Sequence, residues 1–148
     1  MQESNEDDPN RISNTHVIIS NTGEIVSTYR KIHLFDAPVV NLMESVTTAP
    51  GDEIVTLSTD KCCLGLSICY DLRFSELYLS LRSKGANVIL VPSAFTRKTG
   101  QSHWYLSIHM NRTIIKCNLL FLGGFSREPL LRARAIECQA YVIAAAQV

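Results

Sequence analysis

Between Leu64 and Val91 the chain alternates element types in an order that few folds accommodate. Leu64 to Ile68 reads as an apolar strand. Phe74, Leu77, Tyr78 and Leu81 then recur at the i, i+3, i+4, i+7 spacing of an amphipathic helix. Lys84 and Gly85 form its stop signal. Val88 to Val91 is wholly apolar, as expected of a strand buried on both faces, and Pro92 is expected to end it. Leu130 to Gln139 reads as a second helix, with Arg132, Arg134 and Glu137 among apolar positions, and Tyr141 to Ala146 as another buried strand. Strand, helix, strand, helix, strand in that order implies an α/β layer fold.

Upstream, residues 1–12 are polar and expected to be poorly ordered. Thr15 to Ser20 reads as a strand rich in β-branched residues. Asn21-Thr22-Gly23-Glu24 is a turn, and Ile25 to Lys31 the returning strand. Alternation puts Ile25, Ser27, Tyr29 and Lys31 on one face, with Lys31 at the end of a rigid hairpin. His33 to Pro50 reads mostly as loop, broken by Pro38, Asn41 and the run from Thr47 to Asp52. Glu53 to Thr59 is expected to pair with Leu64 to Ile68 through an Asp60-Lys61 turn. Residues 105–129 show no clear period.

The 148 residues fit one domain, 1–148. Lys plus Arg number 14 and Asp plus Glu number 14, so no strong field draws the chain to nucleic acid or an acidic membrane. Met1 is followed by Gln-Glu-Ser-Asn-Glu-Asp-Asp, unlike a signal peptide. The apolar window Ile114 to Gly124 is broken by Lys116 and Asn118 and is too short to span a bilayer, which takes roughly 20 apolar residues. Neither nucleic acid nor membrane is expected as a partner. The five cysteines (Cys62, Cys63, Cys69, Cys117, Cys138) have no C-x-x-C pair, and the four histidines form no H-x-x-x-H. Neither a disulfide framework nor a metal site is suggested. A reducing, cytoplasmic setting is expected, with a mitochondrial form left open.

The junction Ile68-Cys69-Tyr70-Asp71 can aim a cysteine out of the fold, and a helix starting close behind it would favour the thiolate. Free cysteine is otherwise among the most buried residue types, and Cys62 and Cys63 at a strand start fit that description better. A lysine at a strand end, such as Lys31, is ordinarily solvated. Glu44 is by itself an ordinary loop carboxylate. Together a thiol, an ammonium and a carboxylate can supply a nucleophile, an electrostatic stabiliser and an acid/base group. Their spacing leaves open whether they meet.

Several stretches, in order, resemble the nitrilase superfamily of carbon–nitrogen hydrolases. They are Tyr29-Arg30-Lys31-Ile32-His33-Leu34-Phe35-Asp36, Gly65 to Phe74 around Ile68-Cys69-Tyr70-Asp71, Pro92-Ser93-Ala94-Phe95-Thr96, His103-Trp104, and Leu130-Leu131-Arg132-Ala133-Arg134-Ala135-Ile136-Glu137. Within that superfamily, Ser93-Ala94-Phe95, Arg132 to Glu137 and Ala144-Ala145-Ala146-Gln147 look most like the deaminated glutathione amidase branch and less like the ω-amidase branch. The resemblance implies a partial version of a four-layer α-β-β-α sandwich. It implies an amidase that uses a Glu-Lys-Cys triad, a small-molecule amide substrate, no cofactor and no metal, and it allows a homo-oligomer through the helix after the nucleophile, Phe74 to Arg82.

Carried over, Cys69 would be the nucleophile and Lys31 would stabilise the tetrahedral intermediate. Tyr70 N–H would complete the oxyanion site, and Phe95 and Trp104 would lie at the substrate. Glu44, in Met43-Glu44-Ser45, matches the superfamily's second glutamate, which positions the reacting groups. Arg73 and Glu76 would brace the turn.

Four departures accompany the match. The general-base glutamate of the family belongs to a stretch before Asn14-Thr15-His16 that the chain is expected to lack, and Glu3 and Glu6 are poor replacements. Residues 105–129 separate the tryptophan from its helix, as an insertion or a misread exon would. The chain stops at Val148, before the strands that complete the second sheet, which would leave open strand edges. Ser75 stands where the helix usually begins with proline, a change that loses only a preset φ. An impaired hydrolase is therefore expected, the alternative being a non-catalytic fragment or interaction module.

Overall fold

The computed structural model describes residues 1–5, 8–94 and 128–147. The first sheet joins β1 (Gln2–Ser4), β2 (Ile12–Ile19) and β3 (Ile25–Arg30), all antiparallel. The connection after β3 contains a small ladder of β4 (Asp36–Ala37) with β5 (Leu42–Met43), separated by a 3₁₀ turn at Pro38–Val40. A single helical turn, α1 (Glu44–Thr47), leads into β6 (Thr48–Ala49), which pairs parallel to the start of β2. The second sheet contains β7 (Thr56–Ser58), β8 (Cys63–Leu66), β9 (Val88–Ala94) and β10 (Tyr141–Gln147) in the order β10-β9-β8-β7. Its β7–β8 pair is antiparallel and the other pairs are parallel. Between the parallel strands run α2 (Ser75–Ser83) and α3 (Glu128–Cys138).

Alternation along β8 explains how the layers stack. Leu66 and Ile68 point to the first sheet and pack with Tyr29, Ile18, Val55 and Leu90. On the opposite side, Leu72, Leu77, Tyr78, Leu81, Ile89, Val91, Cys138 and Val142 form the core under α2 and α3. Ser67 also faces this side; its hydroxyl donates to the Leu90 carbonyl at 3.0 Å, so the Tyr78 hydroxyl, 2.9 Å away, donates to it. The described residues therefore form three layers, helices on a sheet on a sheet, as an α/β fold requires. No described helix is long and apolar enough to cross a membrane.

The expected order of strands and helices holds, and the differences have local causes. Residues 2–4 form a strand because β2 begins early enough to pair Gln2 with Asn14 and Ser4 with Ile12, so the N-terminal stretch is not poorly ordered there. The strand expected at Glu53 to Thr59 contracts to β7, and the Asp60-Lys61 turn closes on β8 through the Thr59 N–H to Cys62 carbonyl bond of 2.8 Å. Pro92 does not end β9, which continues to Ala94 against β10. By then β8 has stopped at Leu66, opposite Leu90, so that flank carries no strand needing the proline's missing N–H. The Lys84-Gly85 stop is real: Gly85 adopts φ +96°, open to glycine without a Cβ penalty. His33 to Pro50 holds short paired elements where loop was expected.

His16 makes one of the polar contacts across the sandwich. His16 Nδ1 lies 3.1 Å from the Ser67 carbonyl, which can only accept, so Nδ1 carries the proton. Burial pushes the His16 imidazolium below the ordinary histidine value of 6.5, outweighing that bond. The unfolded chain therefore takes up this proton first as the pH falls, and the folded state loses stability below pH 6.5. Urea unfolding of the wild type should weaken between pH 7.5 and 5. His16→Asn, which keeps a donor near Nδ1 but does not titrate, is expected to show a shallower decline.

Candidate active site

β8 delivers the chain into a 3₁₀ segment, Cys69–Arg73, and α2 starts only at Ser75. The helix expected directly behind Cys69 is thus one short 3₁₀ turn, with little of the aligned dipole of an α-helix. Cys69 itself is half-buried with φ +47°, a left-handed conformation that costs a non-glycine residue about 1–2 kcal/mol. Its sulfur lies 4.0 Å from the Ala94 carbonyl, at the C-terminal end of β9. Ligands of parallel α/β sheets gather at this end of the strands.

Asp71 holds the turn in this shape. Its side chain is 0% exposed, and the carboxylate accepts four hydrogen bonds. Oδ2 accepts from Ile68 N–H at 2.9 Å and from the Tyr29 hydroxyl at 2.7 Å. Oδ1 accepts from His33 N–H at 3.0 Å and from His33 Nδ1–H at 2.8 Å. Burial, reinforced by the Asp71 charge, pushes the Tyr29 phenol far above its usual range and keeps it a donor. Arg134 braces the same segment from α3: Nε donates to the Leu72 carbonyl at 3.0 Å, Nη1 pairs with Glu137, and the guanidinium lies 5.7 Å from the Tyr78 ring centre. Of the expected braces, Arg73 lies over the Tyr70 ring at 5.8 Å, and Glu76 is exposed.

Lys31 follows β3 directly and is only 3% exposed, unlike an ordinary strand-end lysine. Its Nζ lies 2.6 Å from Glu44 Oε2. The same oxygen accepts from Phe35 N–H at 2.7 Å, while Oε1 accepts from Asn14 Nδ2 at 3.3 Å. Backbone bonds from Lys31 N–H to the Asn14 carbonyl (2.9 Å) and from Gly51 N–H to the Lys31 carbonyl (2.8 Å) fix the lysine's main chain. Gly51 has to be glycine: a Cβ there would sit 2.3 Å from the Arg30 carbonyl oxygen.

The described contacts therefore join Lys31 directly to Glu44, and join the Cys69 turn to the Lys31 strand through Asp71 and Tyr29. Tyr70 sends its ring edge-on to Phe35 (5.1 Å) and Phe74 (5.6 Å), and His33 stacks on Phe74 at 3.7 Å. Phe95, Trp104, Glu6 and nearly all of 105–129 lie outside the described residues. Glu3 accepts from Thr15 Oγ1 at 2.7 Å and Arg30 Nε at 2.9 Å, bonds that hold its carboxyl below the usual range. Thr15 and Asn14 face opposite sides of β2, so Glu3 is turned away from Glu44. Sequence reasoning gave no role to Asp71, Tyr29, His33 or Asn14. Two signals were available: Tyr29 shares the face of Lys31, and Asp71 is a carboxylate in a tight turn between apolar elements.

A cysteine on a strained strand-to-helix turn is thus tied across an α/β sandwich to a buried lysine–carboxylate pair. The carbon-nitrogen hydrolase family matches residues 1–113, and the chain belongs to that family. It is 48% identical over 146 residues to a deaminated glutathione amidase of Dictyostelium discoideum, covering 95% of this chain and 42% of that protein. Identity to a Bos taurus protein of the same name is 43% over 141 residues, covering 93% and 36%. Among solved structures, the Caenorhabditis elegans NitFhit protein aligns with a TM-score of 0.74 at 41% identity, over 99% of this chain and 31% of that one. Saccharomyces cerevisiae Nit3, a member of branch 10 of the nitrilase superfamily, aligns at 0.66 and 33% identity, over 93% and 40%. The chain spans less than half the length of these curated relatives.

Removing either partner of the Lys31–Glu44 pair should destabilise the fold unequally. Glu44→Ala leaves a buried ammonium and two further donors unmatched, an expected loss of about 3 kcal/mol. Lys31→Met fills the same volume and leaves Glu44, which is 20% exposed, in reach of water. It is expected to lose less in urea denaturation of the two variants side by side.

Proposed function

We propose that the protein is an amidase working through a Cys69 thioester, on an amide resembling deaminated glutathione. The observation that carries this reading is Cys69, held at φ +47° at the end of the parallel sheet and tied through Asp71 to the strand of buried Lys31. The names of the Dictyostelium discoideum and Bos taurus relatives support the substrate class.

In this reading the Cys69 thiolate attacks the amide carbonyl carbon, forming a C–S bond while the carbonyl electrons move to oxygen. Lys31 Nζ–H and Tyr70 N–H stabilise that oxyanion, one such donor being worth about 3 kcal/mol. Tyr70 suits this role because it sits in the first turn of the 3₁₀ segment, where N–H groups have no acceptor within the turn. The C–N bond then breaks, a proton passes to the leaving amine, and ammonia departs. Water cleaves the thioester to a carboxylate and restores the thiol. Glu44 aims the Lys31 ammonium, and the family resemblance alone assigns Phe95 and Trp104 to the substrate.

Proton transfer is the weak step. Glu44 is bonded to Lys31, Phe35 and Asn14, and Glu3 faces away. By the family resemblance the base precedes the Asn14 strand. With both of these carboxylates so engaged, proton transfer within these residues is read as slow, since positioned acid–base groups typically contribute 10²–10⁴-fold. A second copy docking on α2, where Leu79 is 49% exposed, belongs to the same reading.

Iodoacetamide labelling mapped by peptide mass spectrometry tests the nucleophile. Cys69 is expected to react ahead of Cys62 and Cys63, and more slowly in Lys31→Met. Equal rates at the three cysteines would overturn its assignment. Ammonia release from deaminated glutathione is expected near background; turnover abolished by Cys69→Ala would overturn the impairment and keep the nucleophile.

A further inference from the structure

We infer that Asp71, His33 and Tyr29 form a positioning unit that holds the Cys69 turn in register with Lys31, so that the thiol's reactivity depends on residues that do not touch it. This inference rests on the reading of Cys69 as nucleophile.

The geometry carries it from both sides. At the turn, Asp71 N–H donates to the Ile68 carbonyl at 3.0 Å while the Asp71 carboxylate accepts from Ile68 N–H at 2.9 Å. These reciprocal bonds close a ring around Cys69 and Tyr70 and hold Cys69 in its left-handed conformation. On the other side, the remaining donors to the same carboxylate come from Tyr29 and His33. Those two residues bracket Lys31, two positions before it and two after it. Tyr29 Oη also accepts from Ile32 N–H at 3.3 Å, so the main chain on the far side of Lys31 is tied to the same group.

One carboxylate is therefore the common reference point for the backbone on both sides of the lysine and for the backbone on both sides of the cysteine. The His33 ring cannot drift, because it stacks on Phe74 at 3.7 Å with an interplanar angle of 8°. Phe74 is the residue before α2, so this stack also ties the lysine loop to the start of that helix. An arrangement needed only for folding would not require all four donors to come from residues flanking the two candidate reacting groups.

Asp71 is too deeply buried to test alone, since Asp71→Asn would set its amide donors against groups that donate. Tyr29→Phe removes the phenol's bond to Asp71 together with the one it accepts from Ile32 N–H, and His33→Ala removes the imidazole's bond to Asp71 together with its stack on Phe74; each leaves the other donors to the carboxylate in place. His33→Asn restores a donor near the place of Nδ1 and serves as the rescue. The readout is site-resolved iodoacetamide labelling of the folded full chain. Tyr29→Phe and His33→Ala are expected to slow labelling of Cys69 on the order of tenfold, the effect of losing one hydrogen bond to a charged group. His33→Asn should return to near the wild-type rate. Cys62 and Cys63 should be unaffected, and buried Cys138 should stay protected in every variant.

Unchanged Cys69 rates in Tyr29→Phe and His33→Ala would overturn the inference. So would a slow His33→Asn, or Cys138 opening in step with the change at Cys69, since that marks general loosening. The ratio of variant to wild type at Cys69 tests this inference. The ratio of Cys69 to Cys62 in the wild type tests the reading beneath it, so the two fail separately.

Discussion

A carboxylate with no access to water organises the centre of this protein. Burying an ionised aspartate is costly unless its lone pairs are met, and Asp71 meets four donors drawn from three separate stretches of chain. Tyr29 comes from the first sheet, His33 from the connection that follows it, and Ile68 from the end of β8. None of these stretches can shift without leaving a charge or a donor unmatched in the interior. The strained backbone of Cys69 is therefore held by bonds that the fold cannot easily give up.

The apolar layers make that charge possible. Tyr29, Leu66 and Ile68 form a buried apolar seam between the sheets, and Asp71 and Lys31 are buried beside it. Lys31 follows the same logic with the opposite sign. Its ammonium is buried against Glu44, which is in turn held by Asn14 and Phe35 N–H. Two small polar clusters thus flank the seam, one centred on the Asp71 carboxylate and one on the Lys31–Glu44 pair, with Tyr29 and its strand between them. On the far face of the first sheet, a third cluster of Glu3, Thr15 and Arg30 is kept separate by nothing more than the pleat of β2.

Local signals were enough to read the layer order. Apolar spacing in Phe74 to Leu81 and the unbroken Val88 to Val91 run indicated helix and buried strand without any knowledge of neighbours, because those patterns are set within a few residues. Where partners decide, the reading failed. The first residues look disordered by composition, yet they pair with β2. Pro92 looks like a terminator, yet β9 runs past it because its neighbour has already ended. Asp71 was visible in the motif but not as a hub, since three of its four bonds come from residues at least 38 positions away.

From sequence alone followed the α/β class, the family and the identity of the candidate residues Cys69, Lys31 and Glu44, because residue type and order within a motif are local properties. Tertiary structure decided which of those groups are buried, which are paired and which backbone is strained. It brought Lys31 onto Glu44, turned Glu3 away from both, and placed Asp71 between the lysine strand and the cysteine turn. The physical reason is that burial and hydrogen-bond matching depend on what packs across the sandwich, and residues far apart in the chain meet only once the two sheets close.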